Sequence, residues 1–167
     1  MTQSKFWEEF NKRMNHKLSM ITREWIDDDT CVEVLDFIVG EEVVNVQLIK
    51  EDGDVDEVVL YFKSGRRLYI YHDYDCCENV TLIDVVGGNI DDLVGQKIVS
   101  IKSVSKQTDD KMIDRENVRM DESNTWTFVT ISTMRDDITL RWHGGSNGYY
   151  SESVDFNYYD ENNKRIY

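Results

Sequence analysis

The spacing of apolar residues divides the chain into a helical beginning and a strand-rich remainder. Phe6, Phe10, Met14, Leu18, Ile21 and Trp25 recur every three or four residues, which puts them on one stripe of an α-helix. Ser4 stands where an N-cap would, Glu8 and Glu9 fall in the first turns, and Lys5, Lys12, Arg13 and Lys17 take the opposite face. The pattern predicts an amphipathic helix over residues 4–26, ended by Asp27, Asp28 and Asp29. A row of Phe and Trp is rarely left in water, so the helix is expected to pack on the rest of the chain. An arm for oligomerisation or partner binding is the alternative.

From residue 30 the period falls to two. Residues 43–49, 58–62, 67–71, 80–85, 97–103, 126–132, 137–142 and 150–158 read as strands, rich in β-branched and aromatic residues. Turns are placed at 51–54, 63–66 and 134–136. Residues 32–38 read as a strand or, at their end, as a short helical turn. Residues 107–124 form a polar insertion without strand pattern, read as a mobile loop with a turn of helix near 112–117.

The strands also repeat as a set. Ile38-Val39-Gly40-Glu41-Glu42-Val43-Val44 is echoed by Leu93-Val94-Gly95-Gln96-Lys97-Ile98-Val99. Each copy then passes through two strand-like segments to a matching end, Tyr69-Ile70-Tyr71-His72 or Leu140-Arg141-Trp142-His143, and returns after a polar loop. The expected class is therefore α+β. A helical appendage over residues 1–30 joins one β-rich domain over residues 31–167. The mostly antiparallel sheet, free to curl toward a barrel, is built from two β-meander halves, 35–84 and 93–157. A duplicated unit places equivalent loops about a pseudo-twofold axis, so the loops that follow His72 and His143 should lie near each other.

Charge narrows the partners. The 167 residues carry a formal charge of −14 and no proline. That balance argues against direct binding to a nucleic-acid backbone or an anionic membrane. Between residues 27 and 58 there are twelve acids against Lys50 alone. Asp27, Asp28, Asp29, Glu51, Asp52, Asp54, Asp56 and Glu57 are read as an acidic partner surface, with a solvated sheet edge as the plain alternative. Cys31, Cys76 and Cys77 make no disulfide framework, and a vicinal disulfide is strained and rare. The polar beginning has no signal-peptide pattern and no stretch reaches the length of a membrane span, so a reducing cytosol is expected.

Candidate chemistry concentrates in the two equivalent loops. The first offers His72, Asp73, Asp75, Cys76, Cys77 and Glu78. Thiolates suit zinc and carboxylates suit magnesium or calcium, so the mixture points away from one tidy metal site. No metal or other cofactor is assigned. The alternative is a loop whose carboxylates cap backbone N–H groups. The second loop offers His143, Ser146, Asn147, Tyr149, Tyr150 and Glu152, with Gly144, Gly145 and Gly148 permitting close backbone approach. Its hydroxyls, amide and rings would suit a small polar ligand such as a nucleobase or sugar; a glycine-rich turn is the alternative. A Cys–His or carboxylate pair could be assembled from these residues, but no electrophile-stabilising element accompanies it. The chain is not read as an enzyme.

These strings carry a resemblance. Tyr71 to Glu78, Gly88 to Gly95, Trp126 to Phe128 and Ser146 to Phe156 resemble the motifs of a family of small bacteriophage proteins with a domain of unknown function. The chain departs from that pattern at Tyr74, where glutamine is usual, and in its N-terminal segment. The resemblance implies a phage origin and action in a host cytoplasm, and brings no activity with it. The first expectation is thus an acidic phage accessory protein, anti-CRISPR-like, that inhibits a host defence factor by imitating nucleic acid. The second is a small-molecule or nucleotide-signal sponge built on the paired loops, and the third a metal-dependent enzyme. A homo-oligomer is compatible with any of the three.

Overall fold

The computed structural model describes residues 21–108 and 123–167. Ten strands run in chain order as β1 (Ile21–Trp25), β2 (Thr30–Leu35), β3 (Val43–Glu51), β4 (Asp54–Phe62), β5 (Arg67–Tyr71), β6 (Asn79–Val86), β7 (Ile98–Thr108), β8 (Ser123–Thr133), β9 (Asp137–Ser146) and β10 (Asp155–Tyr159). They form one sheet in the order β1-β2-β7-β8-β9-β6-β4-β5-β10, with β3 on β4. Every pairing is antiparallel. The sheet curls into an open half-barrel, and strands from its two ends, β1 and β10, line one groove.

The α+β expectation is corrected. Among the described residues the fold is all-β, with two single 3-10 turns, Asp36–Ile38 and Ile90–Leu93. Residues 21–25, the end of the expected helix, are strand β1, paired from Ile21 with Leu35 to Trp25 with Cys31. Ladder bonds to β2 outweigh a local helical period, and the chain reverses through residues 26–29, where the Ile26 N–H donates to the Thr30 carbonyl at 3.0 Å. Residues 1–20 of that expectation, and the centre of the 107–124 insertion, lie outside the described residues. The 3-10 turn at Asp36–Ile38 falls where the helical turn was expected.

Much of the interior follows from alternation along the strands. Val129 and Ile131 of β8, Ile138, Leu140 and Trp142 of β9, and Leu68 and Ile70 of β5 turn inward and are fully buried. Leu60, Ile101, Phe156 and Tyr158 join them in one core. Burying each such side chain is worth roughly 1.5–3 kcal/mol.

The two copies hold each other reciprocally. The Gly40 N–H donates to Ile98 O at 2.8 Å, and the Gly95 N–H donates to Val43 O at 2.7 Å. The Val43 N–H reaches Gln96 O, and the Ile98 N–H reaches Glu41 O, each at 2.9 Å. Glu42 and Lys97 bridge between these bonds. The same exchange occurs among the strands: β6 of the first copy pairs with β9 of the second, and β10 of the second pairs with β5 of the first. Both glycines that open the lock have positive φ, +89° at Gly40 and +84° at Gly95, with open space where a Cβ would stand. Their requirement is therefore backbone conformation alone.

Gly40→Ala and Gly95→Ala should each lower stability by about 1–2 kcal/mol, the cost of a left-handed L-residue, as read by urea unfolding. Equal losses at the two positions are expected from the reciprocal geometry.

Candidate functional site

The first loop is organised by a buried carboxylate. The Glu78 side chain is wholly buried. Its Oε1 accepts the Asp75 N–H at 2.6 Å, and its Oε2 accepts the Cys76 and Cys77 N–H groups at 3.1 Å each. His72 Nε2 lies 2.9 Å from Oε1. Burial alone would raise this carboxyl, but the Asp75 N–H, His72 and the remaining backbone donors outweigh it and hold it down at about 2. The other His72 nitrogen, Nδ1, lies 2.7 Å from the Ser153 carbonyl, so the ring joins the first loop to the second. The Asp73 N–H donating to Asp155 Oδ2 at 3.0 Å makes a further tie.

The second loop is organised by the equivalent residue with different donors. Glu152 is buried. Its Oε1 accepts the hydroxyls of Thr125 at 2.8 Å and Ser123 at 3.3 Å, and its Oε2 accepts the Ser146 hydroxyl. Ser146 Oγ in turn accepts the Gly148 N–H at 3.0 Å. Room for this inward turn comes from Gly144, since a Cβ there would meet Glu152 Cβ and the Glu152 carbonyl oxygen at 2.8 Å each. Residues 150–154, expected to be strand, are loop for this reason: Glu152 bonds across β8 and β9 instead of extending β10. Gly144 and Gly145, expected in the loop, are strand residues opposite Val80 and Asn79.

The two loops therefore meet, and much of their chemistry is turned inward. Glu78 holds the first loop and Glu152 with Ser146 the second, while His72 joins the two. His143 faces Asn124 Oδ1 at 3.2 Å and packs edge-on against Trp126. Asn147 caps its own turn by accepting the Tyr149 N–H at 3.0 Å. Tyr149 stands 91% exposed at the tip, and Tyr150 is half-buried beside it. Asp73, Asp75, Cys76 and Cys77 are exposed. The two cysteines differ from expectation, since their sulfurs are joined as a vicinal disulfide. Arg141 is bound at both ends of its fork to Asp84 and holds that carboxyl below the usual range.

Acidic turns flank the loops. Glu51, Asp52, Asp54 and Asp56 line a recess of about 530 Å³ together with His72, Tyr74 and Glu78. Asp56 is raised first by burial and then by the charges of Glu51, Asp54 and Asp52, against one backbone bond at Glu51. Glu57 is raised by burial. On the other side Asp27, Asp28 and Asp29 are exposed on the β1–β2 turn. That turn is tied to the second loop stepwise: the Gln107 N–H donates to Asp29 O, Gln107 Nε2 donates to Ser123 Oγ, and Ser123 donates to Glu152. A second groove of about 420 Å³ runs between Arg23 and Glu33 on one side and Tyr71, Asp73, Ser151, Ser153 and Asn157 on the other. Among the described residues no three His, Cys, Asp or Glu side chains are grouped so as to hold a metal ion.

Ser123 and Thr125 were not singled out from the sequence. Hydroxyls on alternate strand positions look like ordinary β-propensity, and only the spatial neighbour Glu152 gives them a role.

A family model described as a domain of unknown function, DUF7448, matches residues 36–156. The chain belongs to this family. No curated protein and no solved structure matches it. The DUF7448 span opens at the first 3-10 turn and ends in β10, so it holds the reciprocal lock, β6, the start of β10 and both glutamate-centred loops. Strands β1 and β2 and the turn with Asp27 to Asp29 precede it.

The Glu78 carboxylate is held below its ordinary value of 4.5. Its stabilising effect is therefore complete above pH 4.5 and is lost as the pH falls toward about 2. Glu78→Gln should be less stable than wild type at neutral pH by about 3 kcal/mol. The gap should close across that acid window. Denaturant unfolding of both proteins at several pH values tests this; a gap independent of pH would remove the carboxylate from its assigned role.

Proposed function

We propose that this DUF7448 protein is a phage-encoded accessory factor that occupies a basic, nucleic-acid-binding surface of a host protein, and so blocks a defence system. The observation that carries this reading is the position of the acids. With the polar groups of the paired loops spent on one another, the groups left outward around them are largely carboxylates, in two turns on either side. The β3–β4 pairing places one turn, and the β1–β2 pairing with the Gln107 N–H bond to Asp29 places the other, so their charges form a standing pattern. Such a pattern gives on-rate and selectivity toward a basic partner.

Asp56 adds a physical argument. A carboxyl whose pKa is raised in the folded chain destabilises the fold once it ionises. Acids kept together against that penalty are relieved by a cationic partner.

The alternative of a small polar ligand is favoured by the 420 Å³ groove beside Ser151 and Ser153, which is large enough for a compact organic molecule. Its lining differs from the Asp73-to-Glu78 and Ser146-to-Glu152 pocket expected from sequence.

The two acid effects have opposite signs on fold and function. Asp52→Asn with Asp54→Asn should leave thermal stability unchanged or higher, yet weaken partner binding by about tenfold, roughly 1.4 kcal/mol. Wild type used as bait in a bacterial lysate should capture a protein at low salt and release it to added nucleic acid or to about 0.5 M salt. Capture that survives both the double substitution and high salt would end this reading. Native mass spectrometry that instead finds a bound small molecule would favour the groove.

A further inference from the structure

We propose that Cys76 and Cys77 form a reversible thiol–disulfide exchange site for low-molecular-weight thiols, whose oxidation state sets how firmly the first loop is held on Glu78. This inference does not depend on the partner reading above. Three observations carry it. The two sulfurs are bonded to each other and both residues are exposed, so a small thiolate has open access, which marks labile rather than structural disulfides. The third cysteine is set apart: Cys31 is buried in β2, and burial, then the charge of Glu33, push its thiol up, away from the reactive thiolate. Finally, the backbone N–H groups of Cys76 and Cys77 are two of the three amides that hold Glu78 Oε1 and Oε2. The covalent ring that contains their shared peptide thus limits the torsions that aim those amides.

The chemistry balances without any other reactant. A thiolate of the small thiol attacks one cysteine sulfur, and the S–S bond breaks with its electron pair leaving on the other sulfur, which takes a proton. A second small thiol attacks the mixed disulfide and releases the second cysteine thiol. Two small thiols are oxidised to their disulfide while the cysteine pair gains two electrons and two protons. The reverse sequence uses the small disulfide as oxidant. In the dithiol form the ring is open, and the Asp75, Cys76 and Cys77 amides are held by Glu78 alone.

The test equilibrates the full chain in glutathione buffers from fully reduced to fully oxidised. Each sample is then alkylated under native conditions and read by intact mass and peptide mapping. The expected result is alkylation of Cys76 and Cys77 together at the reducing end, neither at the oxidising end, and Cys31 untouched in the folded protein throughout. Hydrogen exchange at residues 75–77 should be faster in the reduced form. Cys77→Ser should trap Cys76 as a mixed disulfide with one glutathione, a species that wild type resolves. If that variant fails to fold, the wild-type titration decides alone. The proposal is overturned if both cysteines remain alkylatable after oxidised glutathione, or if the pair resists reduced glutathione at every ratio. Exchange rates identical in the two forms would overturn the coupling to the loop.

Discussion

The fold depends on a mutual backbone lock between two similar halves. Four N–H groups, at Gly40, Val43, Gly95 and Ile98, each donate to a carbonyl of the other half. Neither half completes its own sheet, because the fourth strand of each is paired with the third strand of the other. The consequence is geometric. A chain leaving β5 must cross to reach β9, and a chain leaving β9 must cross to reach β5. The loops that make those crossings, 72–78 and 147–154, are thereby brought side by side. Their meeting follows from strand exchange and needs no attraction between the loops themselves.

Two crossing loops packed together have many polar groups to satisfy, and each half sets one buried glutamate among its donors. Glu78 takes backbone N–H groups and His72; Glu152 takes the hydroxyls of Ser123, Thr125 and Ser146. An ionised carboxylate surrounded by donors is a strong organiser, since removing any one donor still leaves a buried charge. The density of His, Ser and Glu in these loops is thus largely structural. The same residues would look catalytic in a sequence, because a catalytic carboxylate and a loop-clamping carboxylate need the same neighbours.

This explains how much was legible. The Val-Gly steps at Gly40 and Gly95, most strands and the adjacency of the two loops could be read because repetition and period-two alternation are local or self-comparing signals. The end of the expected helix was misread because Ile21 and Trp25 continue a helical period while pairing with Leu35 and Cys31 across a turn, and a period carries no information about a strand partner ten or so residues away. Gly144 and Gly145 were placed in a turn because paired glycines usually mark one. Here the glycine leaves room behind β9 for Glu152, a tertiary requirement. The reactive-looking mixture at 72–78 was not resolved into roles, because which side chains face inward depends on the neighbouring half.

The groups that remain outward after this internal accounting include the carboxylates of the two flanking turns, the Tyr149 ring at one loop tip, and the joined sulfurs of Cys76 and Cys77 at the other. None of them is needed to satisfy the crossing loops. The acids go further and act against the fold, since the Asp56 carboxyl, raised first by burial, is raised further by Glu51, Asp54 and Asp52. A structural role would favour dispersing such charges or pairing them, as Arg141 pairs Asp84 one strand away. Burial of the loop interiors and exposure of unpaired charge around them therefore pull in different directions on stability. That contrast separates the groups that hold the two crossing loops from the charges that stand around them.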